Sequence, residues 1–287
     1  MIYIENFQFP KEDRIVYPYG LLSKKGLEHI EFAPITILYG NNGSGKSTIL
    51  NVIAERLDIR NRSLGNTNEY FSGYVRKCTY TMEGDGIPED SMVIRSEDIM
   101  HYIANIRKRN EDIDKVVNGW LMKGVDKRIR GSLDAEREVK RQFETLYDVG
   151  GGNSSFHAVM VNKLAEKTDE ESNGETAISY FKDRLFPDNL YLLDEPENSM
   201  APAFQQELAD FICLLAYRLN CQFIIASHSP FMLSMQGARI YDLDHNPVWQ
   251  REWFELDNMK AYYQLFNKSS KWFENDSHGA YEEKNGK

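Results

Sequence analysis

Residues Gly40 to Ser47 read G-N-N-G-S-G-K-S, which fits G-x-x-x-x-G-K-[ST], the spacing of a loop that cradles phosphates. Glycines at positions 40, 43 and 45 let the backbone curl until successive N–H groups converge on one anion. The helix N-terminus expected next adds a partial positive charge. Lys46 is placed to reach the β- and γ-phosphates of a nucleotide, and the Ser47 hydroxyl to hold Mg²⁺. The phosphate-binding set is therefore Gly40, Asn41, Asn42, Gly43, Ser44, Gly45, Lys46, Ser47 and Thr48. A chance glycine-rich turn is the plainer reading.

Two later groups supply the rest of the chemistry. Tyr191-Leu-Leu-Asp-Glu-Pro-Glu197 is an apolar run ending in adjacent carboxylates. Beside a phosphate loop, Asp194 would help hold Mg²⁺, and Glu195 would polarise the attacking water. Phe223-Ile-Ile-Ala-Ser-His-Ser-Pro230 delivers His228 at the end of another apolar run, where open α/β sheets bind their ligands. A histidine there can donate a hydrogen bond to a γ-phosphate or to water. Solvated acids capping a strand, and a turn histidine packed on Pro230, are the plainer readings of these two groups.

The elements that must position these residues are legible from periodicity. Ile35–Tyr39 is apolar and β-branched, the mark of a buried strand, and Thr48–Leu57 reads as the helix leaving the loop. Ile2–Phe9 and Leu27–Phe32 alternate as half-buried strands, and Tyr74–Met82 and Ser91–Arg95 read as strands. Glu97 to about Lys108 is helical, with Ile99, Tyr102, Ile103 and Ile106 on one face. Leu190–Leu193 and Cys221–Ala226 are short buried strands. Phe156–Lys167, Gly174–Leu185 and Phe204–Leu219 are helices, and Gly150–Ser155 is a flexible joint. Strands alternating with helices imply a mainly parallel sheet covered on both faces.

Composition narrows the class. The 287 residues carry a net charge of −10, which argues against a simple nucleic-acid coat protein. Between Arg107 and Arg141, eleven Lys/Arg face seven Asp/Glu. That locally basic, apolar-poor stretch reads as an inserted helical subdomain. It offers a surface for nucleic acid or a partner protein, and a solvated helical face explains it equally well. Cys78, Cys213 and Cys221 form no C-x-x-C pair, which fits a reducing compartment. No signal-peptide layout and no apolar run of about 20 residues is present, so a soluble cytoplasmic protein without a membrane span is expected.

Taken together, the three motifs resemble those of ABC-type P-loop ATPases, in the branch of SMC, Rad-type and RecF-like proteins. The resemblance covers most of residues 1–245 and is to a compact stand-alone bacterial AAA-family ATPase. It implies an α/β P-loop NTPase fold, the ABC-ATPase head: a mainly parallel sheet with an antiparallel N-terminal part and an inserted helical subdomain. The expected divisions are 1–106 and 171–248 for the two parts of the core, 107–170 for the insertion, and 249–287 for an aromatic tail. It also implies Mg²⁺-dependent ATP hydrolysis, with Lys46, Glu195 and His228 catalytic and Ser47 and Asp194 on the metal.

In that family a signature S-x-G-[EQ] completes the active site of the opposite protomer. Ser172-Asn-Gly-Glu175 stands in its place, so Ser172, Gly174 and Glu175 would bind nucleotide across an ATP-dependent homodimer. An N-terminal capping box explains Ser172 and Glu175 equally. Asn198–Ala201 matches the family's D-loop. Two departures stand out. No glutamine occurs between Ser47 and Gln142 to contact Mg²⁺, leaving Ser96, Glu97 or Asp98 as substitutes. The insertion also lacks sustained heptads, so no coiled-coil arm is expected. Such heads serve DNA repair, phage defence and toxin-type systems. The nucleotide-binding subunit of an ABC transporter shares the motifs, but its signature is closer to L-S-G-G-Q. A scaffold that binds nucleotide without turnover is a third reading.

Overall fold

The structure, a computed structural model, describes residues 2–12, 14–59, 69–84, 86–130 and 173–276. It divides into two compact units, Met1–Ser96 with Asp183–Lys287, and Glu97–Lys182.

The first unit holds two sheets. β1 (Ile4–Gln8), β2 (His29–Glu31) and β4 (Thr79–Met82) form an antiparallel sheet with β1 in the middle. β3 (Ile35–Tyr39), β5 (Met92–Arg95), β6 (Leu190–Asp194), β7 (Gln222–Ala226), β8 (Arg239–Asp242) and β9 (Trp249–Arg251) form the second, in the order β5-β6-β7-β3-β8-β9. Its first five strands are parallel, and β9 alone runs antiparallel, beside β8. Every residue of β3 and β7 is buried, as expected of central parallel strands covered on both faces.

The core follows from the apolar runs. Leu38, Leu192 and Ile224 on the large sheet join one cluster with Ile49, Leu50 and Ile53 of the helix Lys46–Arg56 and with Ile4, Phe7 and Ile30 of the small sheet. Gln222, fully buried, links the two sheets. Its side chain accepts from the Tyr3 and Ile4 N–H groups at 2.8 and 2.9 Å and donates to the Ile4 carbonyl at 2.9 Å. Each backbone group so satisfied avoids a desolvation penalty of about 1–3 kcal/mol. The helix Pro202–Arg218 buries Leu208, Ile212 and Leu215 at helical spacing.

One expected strand is corrected. The alternation read over Tyr74–Met82 holds only for β4, because Glu69–Lys77 is a helix. Phe71, Tyr74 and Val75 lie at i, i+3 and i+4 and are all buried. That helical spacing was masked by the alternating stretch that follows it.

In the second unit, one helix runs from Ser96 to Arg130 and another from Asn173 to Lys182. They meet where Tyr102 and Tyr180 pack edge to face at 5.0 Å and Arg107 donates to the Asn173 side chain. The joint at Gly150–Ser155, the helix expected over Phe156–Lys167 and Ser172 lie outside the described residues.

Candidate nucleotide site

Sheet order decides where the chemistry collects. β3 is flanked by β7 and β8, and β6 adjoins β7. The segments leaving the C-terminal ends of these four strands are therefore neighbours, the usual place for a ligand in an open parallel sheet.

The phosphate loop leaves β3 with Gly43 and Gly45 at φ of 80° and 102°, left-handed backbone that glycine adopts freely. A Cβ at Gly40 would lie 2.5 Å from the Ser44 Oγ, so this position admits no side chain without movement. The helix begins at Lys46, whose side chain is only 5% exposed. Its Nζ donates to the Gly40 carbonyl at 2.7 Å and the Asn41 carbonyl at 3.2 Å, which holds the ammonium at the mouth of the loop. The Glu195 Oε1 stands 3.6 Å from it.

Ser47 Oγ donates to Asp194 Oδ1 at 3.0 Å. Adjacent corners of an octahedron with metal–oxygen bonds of about 2.1 Å are about 3 Å apart. The two oxygens thus have the spacing of neighbouring Mg²⁺ ligands. Mg²⁺ is typically held by only one or two protein oxygens together with substrate phosphates and water.

Glu195 lies just past β6 with φ of 48°, uncommon for a residue with a side chain and worth about 1–3 kcal/mol of strain. Its surroundings fix it there. Its N–H donates to the Ala226 carbonyl at 2.9 Å, its carbonyl accepts from Asn198 N–H at 3.1 Å, and its Oε2 accepts from Asn198 Nδ2 at 2.9 Å. His228 Nδ1 is 3.9 Å from Glu195 Oε1. The turn carrying His228 is held by Ser229 Oγ, which donates to Gln205 Oε1 at 2.7 Å.

Glu197 has a part that the sequence did not disclose. It is 4% exposed. Its Oε1 accepts from Ser227 Oγ at 2.5 Å and from His228 N–H at 3.4 Å, tying the Glu195 segment to the His228 turn. Its Oε2 is buried without a hydrogen-bond partner. Burial pushes the carboxyl above its ordinary value of 4.5, against the Ser227 hydrogen bond that favours the anion. Below about pH 4.5 the folded and unfolded chains are both protonated here, and the neutral buried form is fully accommodated. As pH rises through the elevated folded value, the anion must be buried and stability falls. Glu197→Gln, neutral and of the same shape, is expected to lose this slope, so its Tm gains on wild type as pH rises. Parallel melting curves from pH 4 to 8 would contradict that.

The other expected site residues are placed as follows. Gly174 is buried and Glu175 exposed in the first turn of the helix Asn173–Lys182. Where the family has glutamine, β5 ends at Arg95, opposite Asp194 in the register, and Arg95 Nη2 donates to Asn51 Oδ1 at 2.6 Å. Asn198, the first residue of the expected D-loop, steadies Glu195 through its side-chain amide at 2.9 Å.

Residues 163–234 match the family model described as "AAA domain, putative AbiEii toxin, Type IV TA system". No curated protein sequence matches the chain. Among solved structures, the Smc head domain of Pyrococcus furiosus, with an extended coiled coil and bound to the C-terminal domain of ScpA, shares 14% identity. It covers 92% of this chain and 100% of its own, at a TM-score of 0.41. The SMC head domain of Thermotoga maritima shares 14% identity over 87% of this chain and 99% of its own, at 0.41. A nucleotide-free ATP-binding cassette from an ABC transporter shares 16% over 84% and 87%, at 0.38. The phosphate loop after β3, the paired carboxylates after β6 and the mostly parallel sheet give this chain the arrangement of a P-loop NTPase core, and the AAA-domain match spans those carboxylates.

Proposed function

We propose that this chain binds ATP with Mg²⁺ and hydrolyses it, and that ATP draws two copies together head to head. The observation that carries the reading is the convergence of Lys46 Nζ, Glu195 Oε1, Ser47 Oγ and Asp194 Oδ1 at the mouth of one phosphate loop. Backbone N–H groups of the loop and Lys46 bind the β- and γ-phosphates. Ser47 and Asp194 hold Mg²⁺, which neutralises phosphate charge when bound. Glu195, held off the sheet by Asn198 and Ala226, orients water toward the γ-phosphate and takes its proton. His228 donates to the γ-phosphate from the neighbouring turn. Hydrolysis then removes the charge that bridges the two copies, and the pair opens. The family description matched by residues 163–234 names a type IV toxin–antitoxin system, and such a setting is preferred here over DNA repair.

The dimer rests on Ser172 acting across the interface. The Glu195→Gln protein, which would hold ATP without turnover, is expected to double its mass in light scattering with saturating Mg-ATP. Ser172→Arg should remain monomeric while binding ATP through its own loop. Gly174 is buried, so an arginine there would report on folding instead. Mixing Ser172→Arg with Lys46→Ala should restore one composite site and part of the turnover. A Glu195→Gln protein that stays monomeric at high concentration with saturating Mg-ATP sinks the trans arrangement and returns Ser172 to a helix cap.

A further inference from the structure

Strand register brings another carboxylate onto the phosphate loop. β3 and β8 pair with Tyr39 opposite Asp242, so Asn41 and Asp244, two residues further along each segment, leave the sheet side by side. Both Asp244 carboxylate oxygens accept from the Asn41 N–H at 3.0 Å, and Oδ2 also accepts from Asn41 Nδ2 at 2.8 Å. The Asn41 carbonyl accepts from Ser44 N–H at 3.0 Å and from Lys46 Nζ at 3.2 Å. Protein atoms thus fix the first turn of the loop at the Asn41 N–H, carbonyl and side-chain amide. The Asp244 charge also repels the phosphates, so the carboxylate favours binding only because the turn it fixes at Asn41 outweighs that repulsion.

Asp244 is itself seated. Asp242, 1% exposed, accepts from Asp244 N–H at 3.0 Å and from Arg251 Nη1 at 3.1 Å, and it lies 2.8 Å from His245 Nδ1. Arg251, in β9, also donates to the Glu255 carbonyl at 2.8 Å, just ahead of the helix Asp257–Lys268. The segment carrying Arg251 and Glu255 is therefore joined to the turn that holds Asp244.

We infer that Asp244 is a positioning residue of the nucleotide site, fixing the first turn of the phosphate loop and tying it through Asp242 and Arg251 to the turn at Glu255 that precedes the helix Asp257–Lys268. This rests on the nucleotide-site reading above. Asp244→Ala is expected to weaken Mg-ATP binding by about tenfold or more, with kcat at saturating ATP within a few-fold of wild type because Glu195 is untouched. Asp244→Asn keeps one acceptor for the Asn41 N–H and should recover part of the loss. Arg251→Met should weaken binding in the same direction. The double variant Asp244→Ala/Arg251→Met should bind no worse than Asp244→Ala, since both changes break one connected network. Calorimetric titration with ATP reads all four. Wild-type or tighter affinity in Asp244→Ala, or additive losses in the double variant, overturns the inference. Should Asp244→Ala fail to fold, Asp244→Asn and Arg251→Met decide, and wild-type affinity in both overturns it. If wild type binds ATP, Lys46→Ala does not and the Asp244 variants are unaffected, this inference alone falls. A wild type that binds no nucleotide overturns the site reading along with it.

Discussion

Replacing Glu195 with glutamine is expected to leave ATP binding intact and to lower turnover by about a hundredfold or more. The two side chains are nearly the same shape, and the amide can keep the hydrogen bond from Asn198 Nδ2, now 2.9 Å. The strained backbone at φ 48° is set by main-chain contacts to Ala226 and Asn198, which the substitution does not touch. What is lost is the negative charge, and with it the capacity to draw a proton from water. Losing that charge also removes an attraction to Lys46 at 3.6 Å and a repulsion toward phosphate, so binding should hold or tighten. Single-turnover phosphate release alongside ATP titration separates the two effects. Turnover within a few-fold of wild type would move the base elsewhere. Glu197 is then a poor substitute, because it is buried against Ser227 with its charged form disfavoured.

Lys46→Ala should remove ATP binding itself. The Lys46 ammonium is buried, and it is held by the Gly40 and Asn41 carbonyls at the mouth of the loop. Hydrogen bonds to a charged group contribute about 1.5–3 kcal/mol each. Losing contacts to two phosphates therefore costs about 3 kcal/mol or more, at least roughly a hundredfold in affinity. The variant also leaves the two carbonyls without this donor, so its Tm should be checked beside the titration. A folded Lys46→Ala protein with wild-type affinity would overturn the assignment of the loop.

The parts of the site that follow from local spacing were legible in the sequence. The glycine pattern announced a turn for anions, and the two apolar runs ending in Asp194-Glu195 and Ser227-His228 announced strands with chemistry at their ends. The parallel sheet followed from the alternation of strands and helices. What the sequence concealed depends on pairing between distant strands. Arg239–Asp242 forms β8 beside β3, but its four residues are too short and too polar to stand out as a buried strand. Without β8 there is no reason to set Asp244 next to Asn41, although Ile240-Tyr-Asp-Leu-Asp244 places acids after an apolar pair much as Leu192-Leu-Asp-Glu195 does. Glu197 was visible as a carboxylate, but its burial depends on Ser227 arriving from β7 across the sheet. The helix over Glu69–Lys77 was missed because its three buried residues span little more than one turn, and the alternating β4 follows at once.

The most direct measurement is phosphate release from ATP by the purified wild-type chain, with Mg²⁺ present and then removed by chelation. Release is expected to saturate with ATP, to disappear on chelation and to return when Mg²⁺ is restored. Release no faster than that of the Lys46→Ala protein under the same conditions would contradict that expectation.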